Sequence, residues 1–220
     1  MPVRKIPKNY RNITGVAAHS KANGAAAYES SLERDFLSLL EFSEDVAQFE
    51  VQPISIDWVD SLGKKHTYTP DVLVHYKDTQ RNPKSILYEV KYRKDLKENW
   101  QSLKPKFKAA IAYCKARGWR FKLMTEVELH TPYMDNVRFL LPYVTQGVLH
   151  EHYVAHMHLL DQKIKVLKTS TPIELVTSIF EDEWSRAELL PTLWYLIGTA
   201  QIGADLHQPL SMRSKIWRIR

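Results

Sequence analysis

Thr67–Tyr76 (TYTPDVLVHY) and Ser85–Tyr92 (SILYEVKY) decide how this chain is read. Both are rich in β-branched and aromatic residues, and the polar run Lys77–Lys84 separates them. They read as two adjacent antiparallel strands joined by a loop. Strand side chains at i and i+2 share a face. Leu87, Glu89 and Lys91 therefore point one way, and Ile86, Tyr88 and Val90 the other. On the partner strand, Asp71, Leu73 and His75 share a face. Pairing the two strands can set Asp71 beside Glu89 and Lys91, a Pro-Asp followed by Glu-x-Lys. Two carboxylates held a few ångströms apart repel each other unless a cation joins them. A hard ion such as Mg²⁺ prefers carboxylate oxygen and keeps several waters. One such water can attack phosphorus, since the ion acidifies it and neutralises phosphate charge. A neighbouring lysine can hold or deprotonate that water and stabilise developing negative charge. Each fragment also has a plain structural reading: Asp after Pro initiates turns, and Glu-x-Lys on a strand is commonly a solvated face.

Working outward, a helix is expected over Ser31–Phe42, with Leu32, Phe36, Leu39 and Leu40 at helical spacing. Ser30 and Glu33 fit a capping box at its start. Glu33 also borders the apolar face, so it is a third carboxylate that could turn over the sheet, and the two roles stay open. Strands are expected at Val46–Val51 and Ile54–Val59, with a turn at Asp60–Gly63. A second helix is expected over Pro105–Arg117, with Phe107, Ala110, Ile111 and Cys114 buried, then a strand at Trp119–Met124. Beyond Val144 helical segments dominate: Gly147–Leu159, Pro172–Asp182 and Ser185–Thr199, closed by a basic tail. This order predicts an α/β protein: a basic arm (1–27), a catalytic domain with a mixed sheet flanked by helices (28–144), and a small, mostly helical, winged-helix-like domain (145–220) that binds DNA or a partner. The histidines at 150, 152, 156 and 158 do not share one helical face, so they are not read as a zinc site.

Charge follows the same division. The chain has 220 residues and a net charge of +6, which favours a polyanionic partner. Residues 1–27 hold Arg4, Lys5, Lys8, Arg11 and Lys21 and no acid, whereas residues 28–60 hold nine acids against Arg34. The segment from Lys91 onward is basic again. Its Arg93, Lys94, Lys97, Lys104, Lys106 and Lys108 are expected phosphate contacts, with Arg213, Lys215 and Arg218 near the end. Cys114 is the single cysteine, so no internal disulfide can form. There is no apolar signal region and no run of about 18 apolar residues to span a membrane, so a cytoplasmic protein is expected.

At these residues the chain resembles a known family. YESSLERDFLSLLEFSEDVAQFEVQP, YTPDVLVHY, LYEVKY and TEVELHTPYMDNVRFLLPY are similar, in that order, to the TnsA endonuclease subunits of heteromeric cut-and-paste transposases. The resemblance spans about residues 10–144. It implies a restriction-endonuclease-like fold, Mg²⁺ as cofactor with Mn²⁺ able to substitute, and Glu33, Asp71, Glu89 and Lys91 as active residues, the three acids holding the metal. It implies hydrolysis of the 5′, non-transferred strand of duplex DNA at transposon ends. A DDE transposase, TnsB, and an AAA+ regulator, TnsC, would be the partners. The alternatives are a free-standing restriction or repair nuclease, and a non-catalytic DNA-binding adaptor that would have no need for Asp71, Glu89 and Lys91 together.

Overall fold

The computed structural model describes residues 15–60, 62–77, 84–147 and 151–219. The chain divides into two compact units, one ending at His130 and one beginning at Thr131.

The first unit opens with a small hairpin, β1 (Gly15–Ala17) and β2 (Ala26–Tyr28). The helix α1 (Ser31–Phe42) follows. Next come β3 (Val46–Val51), the hairpin of β4 (Ile56–Val59) and β5 (Lys65–Tyr68), then β6 (Val72–Tyr76) and β7 (Ser85–Val90). Two helices, α2 (Arg93–Glu98) and α3 (Trp100–Lys115), cross to β8 (Arg120–Met124), and the short α4 (Glu126–Leu129) ends the unit. The main sheet has the order β3-β6-β7-β8, antiparallel except that β8 runs parallel to β7. Only a crossover can make that last connection, and α2–α3 supply it.

Each face of the sheet is covered. On one face, Leu32, Phe36, Leu37 and Leu40 of α1 pack with Phe49, Val72, Val74, Ile86, Tyr88 and Val90. On the other, Phe107, Ala110 and Cys114 of α3 and Ile56 and Tyr68 of the hairpin pack with Leu73 and Leu87. The alternation read in the two central strands is therefore real: Ile86, Tyr88 and Val90 face α1, while Leu87 faces α3. A one-residue slip would bury the wrong set, which fixes the register.

The second unit holds α5 (Pro132–Gln146), α6 (Tyr153–Leu167), β9 (Thr169–Ser170), α7 (Pro172–Thr177), α8 (Glu183–Gly198), β10 (Ile202–Ala204) and β11 (Ile216–Arg218). From α6 onward the order is helix, strand, two helices, two strands. The small sheet has the order β10-β11-β9. That is the topology of a winged helix.

Several boundaries differ from the sequence reading. The units part at 130/131 rather than 144/145, because α5 belongs with the second unit. Its Phe139 ring stands 5.1 Å from Trp194 of α8, and Asn136 donates to the carbonyls of Leu206 and Gln208. The supposed arm is partly folded: residues from Gly15 onward form β1–β2 and bridge Ala22 to Phe49 of the sheet. Arg4, Lys5, Lys8 and Arg11 lie outside the described residues, as do residues 78–83 of the central loop and His150. The helix expected from Pro105 starts at Trp100, and Pro105 lies inside it, beyond the first turn, where its missing N–H removes one helical hydrogen bond. Ile111 is exposed, not buried. The helix expected from Gly147 starts at Tyr153.

Candidate active site

Asp71 lies one residue before β6. Its backbone N–H donates to the Tyr88 carbonyl at 3.1 Å, so the ladder that pairs Val72 with Tyr88 continues to it. Glu89 pairs across the sheet with Leu123, and the Lys91 N–H donates to the Met124 carbonyl. The site thus sits where β7 ends, between two paired neighbours, and both strands hold its backbone.

The side chains converge. Asp71 Oδ2 accepts the Val90 N–H at 2.7 Å. Burial, then the neighbouring Glu89 and Glu33 carboxylates, push the Asp71 pKa well above its usual range, against the Val90 hydrogen bond and the Lys91 charge. Glu89 is buried at 2% exposure, too deep for an acid without partners. Tyr68 donates its hydroxyl to Glu89 Oε2 at 2.5 Å, while Lys106 Nζ at 3.2 Å and Lys91 Nζ at 3.6 Å approach Oε1. The Tyr68 hydroxyl is held firmly protonated by burial and by the Glu89 carboxylate.

Glu33 comes from α1. Its carboxylate accepts the Glu29 N–H at 2.7 Å and the Ser30 hydroxyl at 2.9 Å, and Ser30 Oγ in turn caps the helix by accepting the Glu33 N–H. This is a capping box reaching one residue further back than usual. Burial raises the Glu33 pKa above its ordinary value. Glu33 also lines a small cavity with Asp71 and Gln52. The cap and the place beside Asp71 therefore coexist in one side chain.

The structure brings Glu33, Asp71, Glu89 and Lys91 together in the first unit. Among the expected phosphate contacts, Arg93, Lys94 and Lys97 are exposed on α2 and line an open groove of about 660 Å³ with Leu96 and Trp100. Lys104 and Lys108 are exposed on α3, and Arg213, Lys215 and Arg218 are exposed in the second unit. Lys106 is placed differently from its expected surface role: half-buried, it lies 4.4 Å over the Tyr68 ring and pairs with Glu89. Lys106 and Tyr68 are site residues that the sequence reading missed. The signal for Lys106 was present, because Leu103, Lys106, Phe107 and Ala110 fall at helical spacing and put the lysine on the inward edge of α3.

As placed, no three His, Cys, Asp or Glu side chains among the described residues form a ready metal cage. The donors present are nonetheless the hard oxygen type. Magnesium sites commonly use one or two carboxylates and fill the remainder with water. Asp71 and Glu33 across one cavity, with Glu89 beside Asp71, fit that pattern.

A mixed sheet ending in clustered acids, with two amines on the innermost one, is the architecture of a restriction-endonuclease-like nuclease. Two family profiles match the chain: "TnsA-like endonuclease N terminal" over residues 43–126 and "TnsA endonuclease C terminal" over residues 128–206. The chain belongs to the TnsA family of transposon-associated endonucleases, whose substrate is DNA. Asp71, Glu89 and Lys91 lie inside the first match, whereas Glu33 precedes it. Among curated proteins no relative matches. No helix among the described residues is long and apolar enough to cross a membrane.

Proposed function

We propose that this protein is the endonuclease subunit of a heteromeric cut-and-paste transposase, and that it hydrolyses the 5′, non-transferred strand at transposon ends. Glu33, Asp71 and Glu89 hold a divalent cation, Mg²⁺ with Mn²⁺ as substitute. When bound, it would supply positive charge to the scissile phosphate and acidify the attacking water. Lys91 stands on the strand face of Glu89, so its amine reaches the space beside the acids, where it orients the water and stabilises the negative charge that develops. Lys106 and Tyr68 hold the Glu89 carboxylate in one rotamer, which is positioning work. The exposed bases of α2 and α3 lead the DNA backbone toward the acids through phosphate contacts. A DDE transposase, TnsB, cuts and joins the 3′ ends, and an AAA+ regulator, TnsC, docks on the second unit.

The observation that carries this reading is the meeting of Asp71, Glu89 and Lys91 at the end of two paired strands. The test is a strand-specific cleavage assay with both partners, divalent metal and end-bearing DNA. Asp71→Ala should remove 5′-strand cutting by about 10³-fold or more while the 3′ strand is still cut. Unchanged 5′ cutting would refute the site. Efficient cutting by the purified chain alone would favour a free-standing nuclease.

A further inference from the structure

Gln52 follows β3, the strand paired with β6 next to Asp71, and its amide oxygen is out of place by ordinary rules. The residue is 7% exposed, yet Oε1 is buried with no hydrogen-bond partner. Buried polar atoms are nearly always satisfied, so one that is not needs a cause. The backbone is also constrained. Gln52 has φ of 47°, a left-handed conformation that non-glycine residues seldom adopt, and its N–H donates to the Asp71 carbonyl at 2.7 Å. The position of Gln52 is therefore tied to that of Asp71, and such strain tends to persist at functional sites.

Gln52 lines the same cavity as Glu33 and Asp71, a space of about 10 Å³, room for the centre of one water-sized sphere. The other polar side chains that line it are both carboxyls, those of Glu33 and Asp71. An amide beside two carboxyls would ordinarily keep its oxygen paired, because an oxygen among oxygens gains nothing. One water has only two hydrogens to offer. A divalent cation can accept all of these oxygens at once, and a hard cation takes amide oxygen as readily as carboxylate.

We infer that Gln52 supplies an uncharged oxygen donor to the cation held by Glu33, Asp71 and Glu89. This rests on the metal-dependent reading proposed above and adds a ligand that the search for acids does not find. A neutral donor fixes the ion's position without adding a further negative charge to a site that already repels itself.

The experiment is calorimetric titration of the full-length chain with Mn²⁺ at pH 8, without DNA, together with thermal melting of the metal-free protein. Wild type should bind and Asp71→Ala should not. Gln52→Met should weaken Mn²⁺ binding about tenfold or more, the size of loss expected when a supporting group at a metal site is removed. The metal-free Gln52→Met protein should melt at or above the wild-type temperature, since an unsatisfied oxygen has been replaced by an apolar group of similar length. Gln52→Glu should bind Mn²⁺ more tightly than wild type. Wild-type affinity in both Gln52 variants, or a lower metal-free melting temperature for Gln52→Met with unchanged affinity, would overturn the inference and leave the metal reading intact. Absence of Mn²⁺ binding by wild type would overturn both.

Discussion

Two buried carboxylates of the first unit, on Glu41 and Asp71, show opposite solutions to the same problem. Glu41 lies on α1 with its side chain 3% exposed. Its Oε1 accepts the Ser20 hydroxyl at 2.5 Å and the Ser20 N–H at 3.0 Å, and its Oε2 accepts the Lys21 N–H at 3.1 Å. Burial pushes its pKa up, but these hydrogen bonds outweigh it, and the net shift is downward. Asp71 accepts the Val90 N–H, but its other near neighbours include two more acids, and its pKa is driven upward. Burying an acid is therefore not by itself a mark of function. The difference lies in the company each acid keeps: Glu41 fastens the segment after β1 to α1, while Asp71 faces the carboxylates of Glu89 and Glu33.

The largest effect that could break this contrast is on turnover. Lys91→Met should lower 5′-strand cleavage in the assembled complex by about 10³-fold, or about 4 kcal/mol of barrier at 1.36 kcal/mol per decade. Stability should change by less than about 1 kcal/mol, because the Lys91–Glu89 pair is loose at 3.6 Å, Lys106 remains on Glu89 at 3.2 Å, and partly exposed pairs contribute little. If denaturant melts showed a large stability loss with cleavage retained, Lys91 would be a structural counter-ion and the two regions would not differ in kind.

Glu41→Ala should do the reverse. It strands the donors of Ser20 and Lys21 and should cost about 3 kcal/mol of folding stability, with cleavage preserved wherever the protein remains folded. The sign with pH follows from the lowered pKa. Stability contributed by Glu41 is fully present above the ordinary glutamate range and is lost as pH falls through the depressed value. Denaturant melts from pH 7 downward should therefore show the wild-type advantage over Glu41→Ala shrinking in acid.

How far this contrast was legible in the sequence depends on the range of the signal. The pair of strands was readable because period-2 alternation is local, and it fixed the faces of Leu73, Leu87 and Tyr88 correctly. The same letters brought Asp71, Glu89 and Lys91 together, since one loop and one register suffice. The helix α1 was readable to the residue because Ser30 caps it and its apolar spacing is regular. What escaped were contacts made across elements. Tyr68 reaches Glu89 from a hairpin, and Lys106 reaches it from a helix beyond β7, at a separation no short window spans. Lys106 also sits in a basic run that reads as surface unless its helical spacing with Leu103, Phe107 and Ala110 is followed. The domain boundary failed for the same reason: α5 continues the first unit in sequence, but its partners Trp194, Leu206 and Gln208 lie far along the chain. Gln52 carries no signal of its own, because an amide becomes informative only when its missing partner can be seen.

The smallest effect is also the sharpest test, because it predicts a gain. Asp71→Asn keeps an oxygen to accept the Val90 N–H but removes the charge that Glu33 and Glu89 oppose. For an acid whose folded pKa is raised, the stability contribution is fully present below the unfolded value and is lost as pH rises through the folded one. Metal-free wild type should therefore lose stability as pH climbs past the ordinary aspartate range, and Asp71→Asn should lack that part of the loss. At neutral pH the metal-free variant should melt about 2–4 °C higher, the shift that about 1 kcal/mol produces in a chain of this size. The gap should close in acid, where Asp71 is protonated in both states. It should also close or reverse when Mg²⁺ is added, because only wild type gains from binding. If Asp71→Asn melted lower at every pH, Asp71 would be a fastening like Glu41 and the contrast would collapse. A gain at neutral pH that Mg²⁺ abolishes would show that the wild-type fold gives up stability to hold an acid in readiness for a cation.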